Sequence, residues 1–548
     1  MTNGKRSPPE LVTEELGQST KVKFKFKESD LFRVYQSIDL GNLAADTGEN
    51  QEYFPNLLKL KAALYSADYR AFVERISNLP KGTLTEQVDC AANCHAPGCH
   101  LLCHDDVIGT RKISYIIYLT EPEWTPEEGG ALELYSHDVV PGKDLRAPQA
   151  TPSKTVLPIF NTMAYFEVKP GTSFHAVQEV FGDRPRLSIQ GWYHASEMPQ
   201  GMEGATLSRL KSTEKGEDTE GEFGVFQVAA EAIDVSEAAS DALSDADRSY
   251  LENYINATYL TPESMQEIRN HFENVSSVQL RHFLCQPLMD KLKSQISDED
   301  LGNGKPALDY RQFEVTDEAN GSTDHGKWIV VGPAHKQRFL EFSGCSTGDG
   351  MGPLLLRVKE QLFQSPEFGR FLKLATSLGM PKGYRGRVRR FRPGLDYTVA
   401  HYGILTTESV LDATLCVCAG NGEQCRADEE TGELIGSDAD AVWESGDCGG
   451  FECYIAADDE DGDAEEAADE YNEDAETDLL SVSASNNTLS LVYRDLGTIR
   501  FVKYVGCRAP SSRWDVSMEY ELDDTGDDDE HGDEVDDGDD DDDAVDEA

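Results

Sequence analysis

Two short stretches of the chain carry side chains that could hold one metal ion between them: His104-Asp105-Asp106, and His175 followed by Arg186-Leu187-Ser188. In an extended strand His104 and Asp106 would project from one face, because side chains alternate with a period of two. A neutral imidazole from His175 would complete a two-histidine, one-carboxylate face. Such a face leaves the far side of an iron(II) ion open for a bidentate co-substrate and for dioxygen. Arg186 is the residue type that grips a carboxylate through bidentate, charge-assisted hydrogen bonds. Ser188 shares its strand parity and could bond the same carboxylate. The expected chemistry is that of a non-haem iron, 2-oxoglutarate-dependent oxygenase.

Taken alone, a His-x-Asp tripeptide is a weak signal that a surface turn supplies by chance. A distal imidazole followed by Arg-x-Ser, all within one β-rich block, makes coincidence hard to sustain. Zinc bound by the same triad, as in a hydrolase, is the direct rival, but zinc chemistry needs no carboxylate anchor and Arg186 favours the oxygenase. Arg184 sits in the Gly182–Pro185 turn and reads as exposed. Cys90, Cys94, Cys99 and Cys103, with His95 and His100, could bind a structural zinc. Their spacings contain no Cys-x-x-Cys pair, so unpaired cysteines on a strand and its lead-in loop are the plainer reading. Cys103 alternates with His104 and should point away from the iron. The basic run Lys382–Phe391 could touch RNA through Tyr384 and Phe391; a solvated loop ahead of a strand is the plainer reading there.

The elements that must position these side chains are legible in outline. Leu57, Leu58, Leu60, Leu64, Tyr69, Phe72, Val73 and Ile76 recur at helical spacing. Between about 88 and 195 the pattern turns to short β runs: Lys112–Thr120, Ala131–Ser136, Met163–Val168, Ser173–Val180 and Arg186–Tyr193. Closely spaced short strands imply a barrel or sandwich. Pro262–Arg281 and Gly352–Leu378 read as amphipathic helices. A second β-rich block follows, with strands at Asp412–Cys418, Gly449–Ala456, Leu489–Tyr493, Ile499–Val505 and Trp514–Tyr520. Gly129–Tyr135 (GGALELY) is echoed by Gly449–Ile455 (GGFECYI), which suggests duplication of one barrel. The second copy has His401 with no acid two residues on, and Lys503 where a distal histidine is expected, so it should not hold the same metal. The expected domains are 29–200, catalytic, and 250–522, non-catalytic, joined by an acidic linker at 201–249.

Acids outnumber bases 102 to 49, for a formal net charge of −53. The excess gathers in Glu214–Glu237, Asp458–Asp478 and Asp523–Ala548. Like-charge runs with few aromatics bury too little to offset their ordering entropy, so disorder is expected for these runs, including a loop at 457–478 and a tail at 523–548, and also for residues 1–28. They suit solubility or a basic protein partner, with a solvated tail that has no dedicated partner as the plainer reading, and they argue against direct nucleic-acid binding through those segments. No signal-peptide core follows Met1 and no run reaches membrane-spanning length, so a soluble intracellular protein is expected. Twelve cysteines in a chain this long do not form a secreted disulfide framework.

Several longer motifs narrow the reading. Leu101–Asp106 (LLCHDD), Lys112–Leu119 (KISYIIYL), Gly129–Ser136 (GGALELYS), Phe166–Pro170 (FEVKP), Ser173–Gln178 (SFHAVQ) and Arg186–Trp192 (RLSIQGW) together resemble the eukaryotic ribosomal prolyl hydroxylases of the 2-oxoglutarate oxygenase superfamily. The resemblance extends through Asn256–Leu260, Gly449–Phe451, Leu491–Asp495, Phe501–Lys503 and Trp514, covering most of residues 29–522. It implies a mainly β fold with flanking helices (α+β): two double-stranded β-helix domains of jelly-roll or cupin type, the second degenerate. It implies 3-hydroxylation, or 3,4-dihydroxylation, of a proline in a small ribosomal subunit protein at the decoding centre. Carried over, His104, Asp106 and His175 are the iron(II) ligands, Arg186 anchors 2-oxoglutarate and Tyr118 contacts it. L-ascorbate would keep the iron reduced. Translation termination accuracy, oxygen sensing, termination factors as partners, and residence in nucleus and cytoplasm belong to the same resemblance. Three departures stand out: a short region ahead of Asp30–Tyr35, implying a truncated amino terminus or a less completely packed barrel; a slightly short turn between His175 and Arg186; and the additional Cys94 and Cys99. The competing reading is a non-catalytic translation- or stress-related interaction protein that uses the second barrel and the acidic segments.

Overall fold

The structure is a computed structural model that describes residues 12–13, 15–16, 24–43, 52–143, 145–210, 223–225, 242–296, 326–405, 408–419, 426–427, 434–435, 439–457 and 478–522. Most of the three acidic runs and of residues 1–23 therefore lies outside the described residues; Lys25–Glu28 is a paired strand, and Val12 and Leu16 are buried in one cluster with Leu57 and Leu64, which corrects the expectation of disorder through residue 28. The described part of 201–249 includes a short helix, Thr206–Leu210, and a helix Asp245–Leu251 capped by Ser244.

The first lobe contains β1 (Lys25–Glu28), β2 (Phe32–Gln36), β3 (Leu84–His95), β4 (His100–His104), β5 (Arg111–Tyr118), β6 (Leu132–Leu134), the hairpin β7 (His137–Val139) and β8 (Arg146–Pro148), β9 (Lys154–Val156), β10 (Met163–Glu167), β11 (His175–Val177) and β12 (Arg186–Ala195). Outside that hairpin they form one curled antiparallel sheet in the order β10-β5-β12-β3-β2-β4-β11-β6-β9, with β1 on β2. Helices α1 (Pro55–Leu64) and α2 (Ala67–Ile76) cover one face. Proline at the first turn starts α1, and the Ser66 hydroxyl accepts from the Tyr69 amide to start α2. Leu57, Leu64 and Val73 pack on Ile113, Tyr115, Ile189 and Tyr193. Alternation along β12 then sends Arg186, Ser188 and Trp192 to the opposite, inner face. Gly191 has no substitute: an added Cβ would lie 1.8 Å from the Asp89 carbonyl oxygen on the neighbouring strand.

The second lobe contains β13 (Gly224–Val225), β14 (Ser277–Arg281), β15 (Gly326–Val331), β16 (Gln337–Gly344), β17 (Gly383–Phe391), β18 (Tyr397–Thr398), β19 (Val410–Cys418), the small pair β20 (Arg426–Ala427) and β21 (Leu434–Ile435), β22 (Glu452–Ala456), β23 (Asp478–Val482), β24 (Thr488–Arg494), β25 (Thr498–Val502) and β26 (Arg513–Glu521). Its main sheet runs β14-β24-β19-β26-β17-β16-β15, with β18 on β16 and β13 on β17, and β23-β22-β25 form a second sheet. The duplication is thus strand for strand. β24, β19, β26, β17, β16 and β15 answer β10, β5, β12, β3, β2 and β1, while β18, β25, β22 and β23 answer β4, β11, β6 and β9. The bridge Gly129–Val180 recurs as Gly449–Val505, and at both places two successive glycines take the left-handed backbone that favours glycine.

Helices α3 (Pro262–Val275), α4 (Gln286–Lys293), α5 (Met351–Val358) and α6 (Pro366–Thr376) belong to this lobe. Phe272, Leu355 and Phe371 pack on Leu411, Leu491, Val516 and Tyr520. Two of the expected helices are shorter than their patterns. The first stops at Val275, because Ser276 turns left-handed and β14 begins; the second breaks where Ser365 caps a new helix at Pro366. Lys382–Phe391 is not a solvated loop: it is the central strand β17, whose Arg385 and Arg389 are paired with Glu519 and Asp515. An arginine-rich run hides its role in sequence, because the acids that neutralise it arrive from a strand over a hundred residues later.

The lobes meet through Tyr135–Arg338, Asp30–Ala400 and Glu179–Tyr504 hydrogen bonds, and through packing of Ala334 on Cys103, Phe174 and Ala176. Among the described residues no helix is long and apolar enough to cross a membrane.

Candidate metal centre and co-substrate pocket

His104 ends β4 and His175 begins β11, and the two residues are direct partners in the pairing of those strands. Asp106 joins them by a route that strand alternation does not supply. β4 stops at His104, and Asp106 takes a left-handed backbone, φ 63°. The expectation of one continuous extended strand through His-x-Asp is therefore corrected. The turn is held by Asp105, whose buried carboxylate accepts from the amides of Gly171 and Thr206, each at 3.1 Å, and of Val107 at 3.4 Å. The result brings one ligand atom each of His104, Asp106 and His175 within 4.8 Å of one another.

The donor set fits a metal. Nδ1 of His104 lies 2.8 Å from the Leu102 carbonyl and Nδ1 of His175 lies 2.8 Å from the Ser173 carbonyl. A carbonyl only accepts, so each Nδ1 carries the proton and each Nε2 presents its lone pair to the centre. Nε2 of His104 is 3.1 Å from Asp106 Oδ1, and Nε2 of His175 is 3.4 Å from Oδ2. Burial raises the Asp106 carboxyl, but without a metal the protonated imidazoles of His175 and His104 would outweigh it and hold the group well below the usual carboxylate range; a bound metal ion takes the place of those protons. Trp192 Nε1 donates to Asp106 Oδ2 at 3.0 Å, and the Arg111 guanidinium stacks on that indole at 3.6 Å. The Phe166 ring lies 4.5 Å from that of His175.

Beside the centre, Arg186, Ser188, Tyr118 and His95 are all buried. Arg186 is the strand partner of His95, and Ser188 that of Tyr118. Arg186 Nη1 is 3.3 Å from His95 Nδ1 and 3.4 Å from Ser188 Oγ, and its guanidinium lies 5.2 Å from the Tyr118 ring centre. Arg186 Nε and Nη2, the Tyr118 hydroxyl and His95 Nε2 are buried with no hydrogen-bond partner among the described residues. Burial lowers the pKa of Arg186, raises that of Tyr118 and, with Arg186 nearby, pushes His95 well below its usual value. An uncompensated buried guanidinium is costly. A carboxylate placed here would satisfy these orphaned donors together, so the residues fit 2-oxoglutarate.

His95, Trp192 and Asp105 are the residues that motif reasoning passed over. Trp192 was within reach, since it shares the parity of Arg186 and Ser188. His95 was grouped with the cysteines, and only strand register moves it beside Arg186. Nothing in the sequence marks Asp105. The four cysteines do not converge on one point: Cys90 packs under the helices, whereas Cys103 packs with Tyr135 and Phe174. Arg184 stays in its turn and pairs with Glu128. In the second lobe the register corrects the expected position of the distal histidine. His175 faces Leu134, and Arg500 faces Tyr454, the counterpart of Leu134, so Arg500 rather than Lys503 stands in the place of His175. Thr398 bonds Val502 where Leu101 pairs with Val177, which puts His401 in the place of His104 and Gly403 in that of Asp106.

Comparison with known proteins agrees with this geometry. Residues 90–194 match the model of the 2OG-Fe(II) oxygenase superfamily, and residues 246–529 match that of the oxoglutarate and iron-dependent oxygenase degradation C-terminal domain. The chain is 38% identical over 510 residues to a prolyl 3,4-dihydroxylase, OGFOD1, of Ostreococcus tauri, covering 90% of this chain and 89% of that one. It is 25% identical to the prolyl 3-hydroxylase OGFOD1 of Xenopus laevis, over 88% and 78% of the two chains. It is also 25% identical to the prolyl 3-hydroxylase sudestada1 of Drosophila melanogaster, over 90% and 77%. Two lobes matching two halves of one enzyme type, and a relative this similar end to end, leave one assignment: the chain belongs to the 2-oxoglutarate- and iron(II)-dependent oxygenases, in the group that holds these prolyl hydroxylases.

Proposed function

We propose that this chain is a 2-oxoglutarate-dependent peptidyl-prolyl 3-hydroxylase or 3,4-dihydroxylase, with His104, Asp106 and His175 holding iron(II) and Arg186, Ser188 and Tyr118 holding the far carboxylate of 2-oxoglutarate. The observation that carries it is the buried guanidinium of Arg186, which among the described residues meets no acid and leaves Nε and Nη2 without partners, beside a three-residue metal face. Iron(II) held here with 2-oxoglutarate would use dioxygen as the oxidant, one oxygen atom entering the C–H bond and the other the succinate left when 2-oxoglutarate loses carbon dioxide. The protein's own part is positional. The Leu102 and Ser173 carbonyls orient the two imidazoles, and Trp192 fixes which Asp106 oxygen faces the centre. Phe166 covers the His175 ring with an apolar face.

The substrate reading is a proline in a small ribosomal subunit protein at the decoding centre, supported by the sequence resemblance and by the prolyl hydroxylase names of the relatives. Ascorbate as reductant, action on translation termination and residence in nucleus and cytoplasm follow from the same reading. The domain boundaries 29–200 and 250–522 are proposed with it. The test is fragment mass analysis of a decoding-centre peptide after incubation with the protein, iron(II), 2-oxoglutarate and ascorbate. A gain of one or two oxygens on proline, absent with His175→Ala, is expected. Succinate release without any gain on that peptide would refute the substrate, and no succinate release would refute the enzyme.

A further inference from the structure

The inner face of the first sheet is a ladder whose rungs are set by strand register. Arg186 is level with His95, Ser188 with Asn93 and Tyr118, Gln190 with Ala91 and Ile116, and Trp192 with Ser114. The alternate residues Leu187, Ile189 and Tyr193 pack on the helix side, so the even-numbered side chains of β12 face inward. Trp192 reaches Asp106 Oδ2. The metal face therefore lies toward the last rung, and the carboxylate anchor Arg186 is on the first.

Two primary amides on this ladder have no task so far. Asn93 is buried, and its Oδ1 has no partner among the described residues. Gln190 is half-buried, one rung nearer the metal, and its side chain makes no hydrogen bond among the described residues. Its strand neighbour Ile116 belongs to an apolar cluster with Leu132, Ala164 and Phe166, which offers the amide nothing to bond on that side. Amides left this way in a barrel interior are costly. One extended ligand rich in oxygen would answer both.

Successive rungs are about 7 Å apart, about the reach of a five-carbon dicarboxylate. A carboxylate held by Arg186, Ser188 and Tyr118 thus brings the other end of 2-oxoglutarate to the level of Gln190. The Gln190 amide then has the oxygens of the 2-oxo acid to donate to. Asn93 sits beside Ser188, and a half-turn of its amide presents N–H in place of C=O to the far carboxylate.

We propose that Gln190 and Asn93 are two further co-substrate contacts, Gln190 donating to the 2-oxo acid end and Asn93 to the far carboxylate. This rests on the reading of Arg186 and the metal face given above. The two contacts have separable signatures. Gln190 draws on the oxygens that bind the metal, so its loss changes the electronic environment of the chelate as well as affinity. Asn93 acts at the remote end and changes affinity alone.

The test uses the full chain under nitrogen with iron(II), titrated with 2-oxoglutarate. The visible charge-transfer band of iron(II) chelated by a 2-oxo acid and the rise in melting temperature are followed together. Succinate release in air then gives KM and kcat. In Gln190→Leu the titration midpoint and KM should rise by about tenfold or more, and the band should move. Gln190→Glu keeps the size of the side chain but adds a negative charge facing a dianion, and should weaken binding at least as much. Asn93→Leu should weaken binding with the band in its wild-type place, and should melt no lower than wild type without co-substrate, because it removes an unpaired buried oxygen. Wild type showing neither band nor melting rise refutes the reading of the Arg186 pocket, and this proposal with it. Wild type showing both, with midpoint and band unchanged in Gln190→Leu and Gln190→Glu, overturns the proposal alone. A weaker midpoint in Gln190→Leu with an unmoved band removes Gln190 from the metal-binding end and overturns its assignment.

Discussion

Replacing Arg186 with Met separates a co-substrate anchor from a structural arginine, because the two roles predict opposite signs. The side chain is fully buried, meets no acid among the described residues, and has two guanidinium nitrogens without partners. Its contacts with His95, Ser188 and the Tyr118 ring offset only part of the desolvation of the charge. Removing a poorly compensated buried charge for an apolar side chain of similar length should stabilise the protein, when free of co-substrate, by about 1–3 kcal/mol. That appears as a rise in melting temperature of at least about 2 °C. The co-substrate loses two charge-assisted hydrogen bonds of about 1.5–3 kcal/mol each, so KM for 2-oxoglutarate should rise by roughly two to four orders of magnitude. Wild-type protein should gain about 2.7 kcal/mol of stability at a hundred times Kd of 2-oxoglutarate, and the variant essentially none at that concentration. Succinate release against 2-oxoglutarate concentration, and melting curves with and without it, read both effects. A variant that melts lower than wild type and keeps its KM would refute the anchor.

Three further outcomes follow from the same geometry. Trp192→Phe removes the 3.0 Å bond to Asp106 Oδ2 and should lower metal affinity or kcat by about 10–100-fold, with little change in KM for 2-oxoglutarate; iron titration and steady-state kinetics check it. Asp105→Asn keeps one acceptor oxygen for the amides that Asp105 now serves with two, and should cost about 1–3 kcal/mol in urea unfolding. Glu179, buried between the lobes and accepting from Cys507 N and Tyr504 Oη, is raised by burial from 4.5 to about 7. A carboxyl raised in the folded state releases its proton later than in the unfolded chain. Its contribution is therefore lost as pH rises from about 4.5 to about 7, by about 3 kcal/mol in all. Glu179→Gln should flatten that slope and raise the melting temperature at pH 8, where a variant no more stable than wild type would contradict the assignment.

The sequence by itself determined the chemistry and the outline of its housing. The residue types at 104, 106, 175 and 186 are legible because metal and carboxylate recognition admit few alternatives. The parity of Arg186, Ser188 and Trp192 is legible because a strand alternates regardless of its neighbours. The repeated Gly-Gly turn, at 129 and at 449, announced the duplication because left-handed backbone at two successive positions calls for glycine. What the sequence could not determine is register between strands that lie far apart in the chain. Register put His95 next to Arg186, moved the counterpart of His175 from Lys503 to Arg500, and paired the arginines of β17 with acids on β26. The turn at Asp106 was equally hidden, since amides of Gly171 and Thr206, remote in the chain, hold the Asp105 carboxylate beside it. Local rules act over a few residues, whereas these placements depend on which strand lies alongside which, and only the assembled sheet decides that.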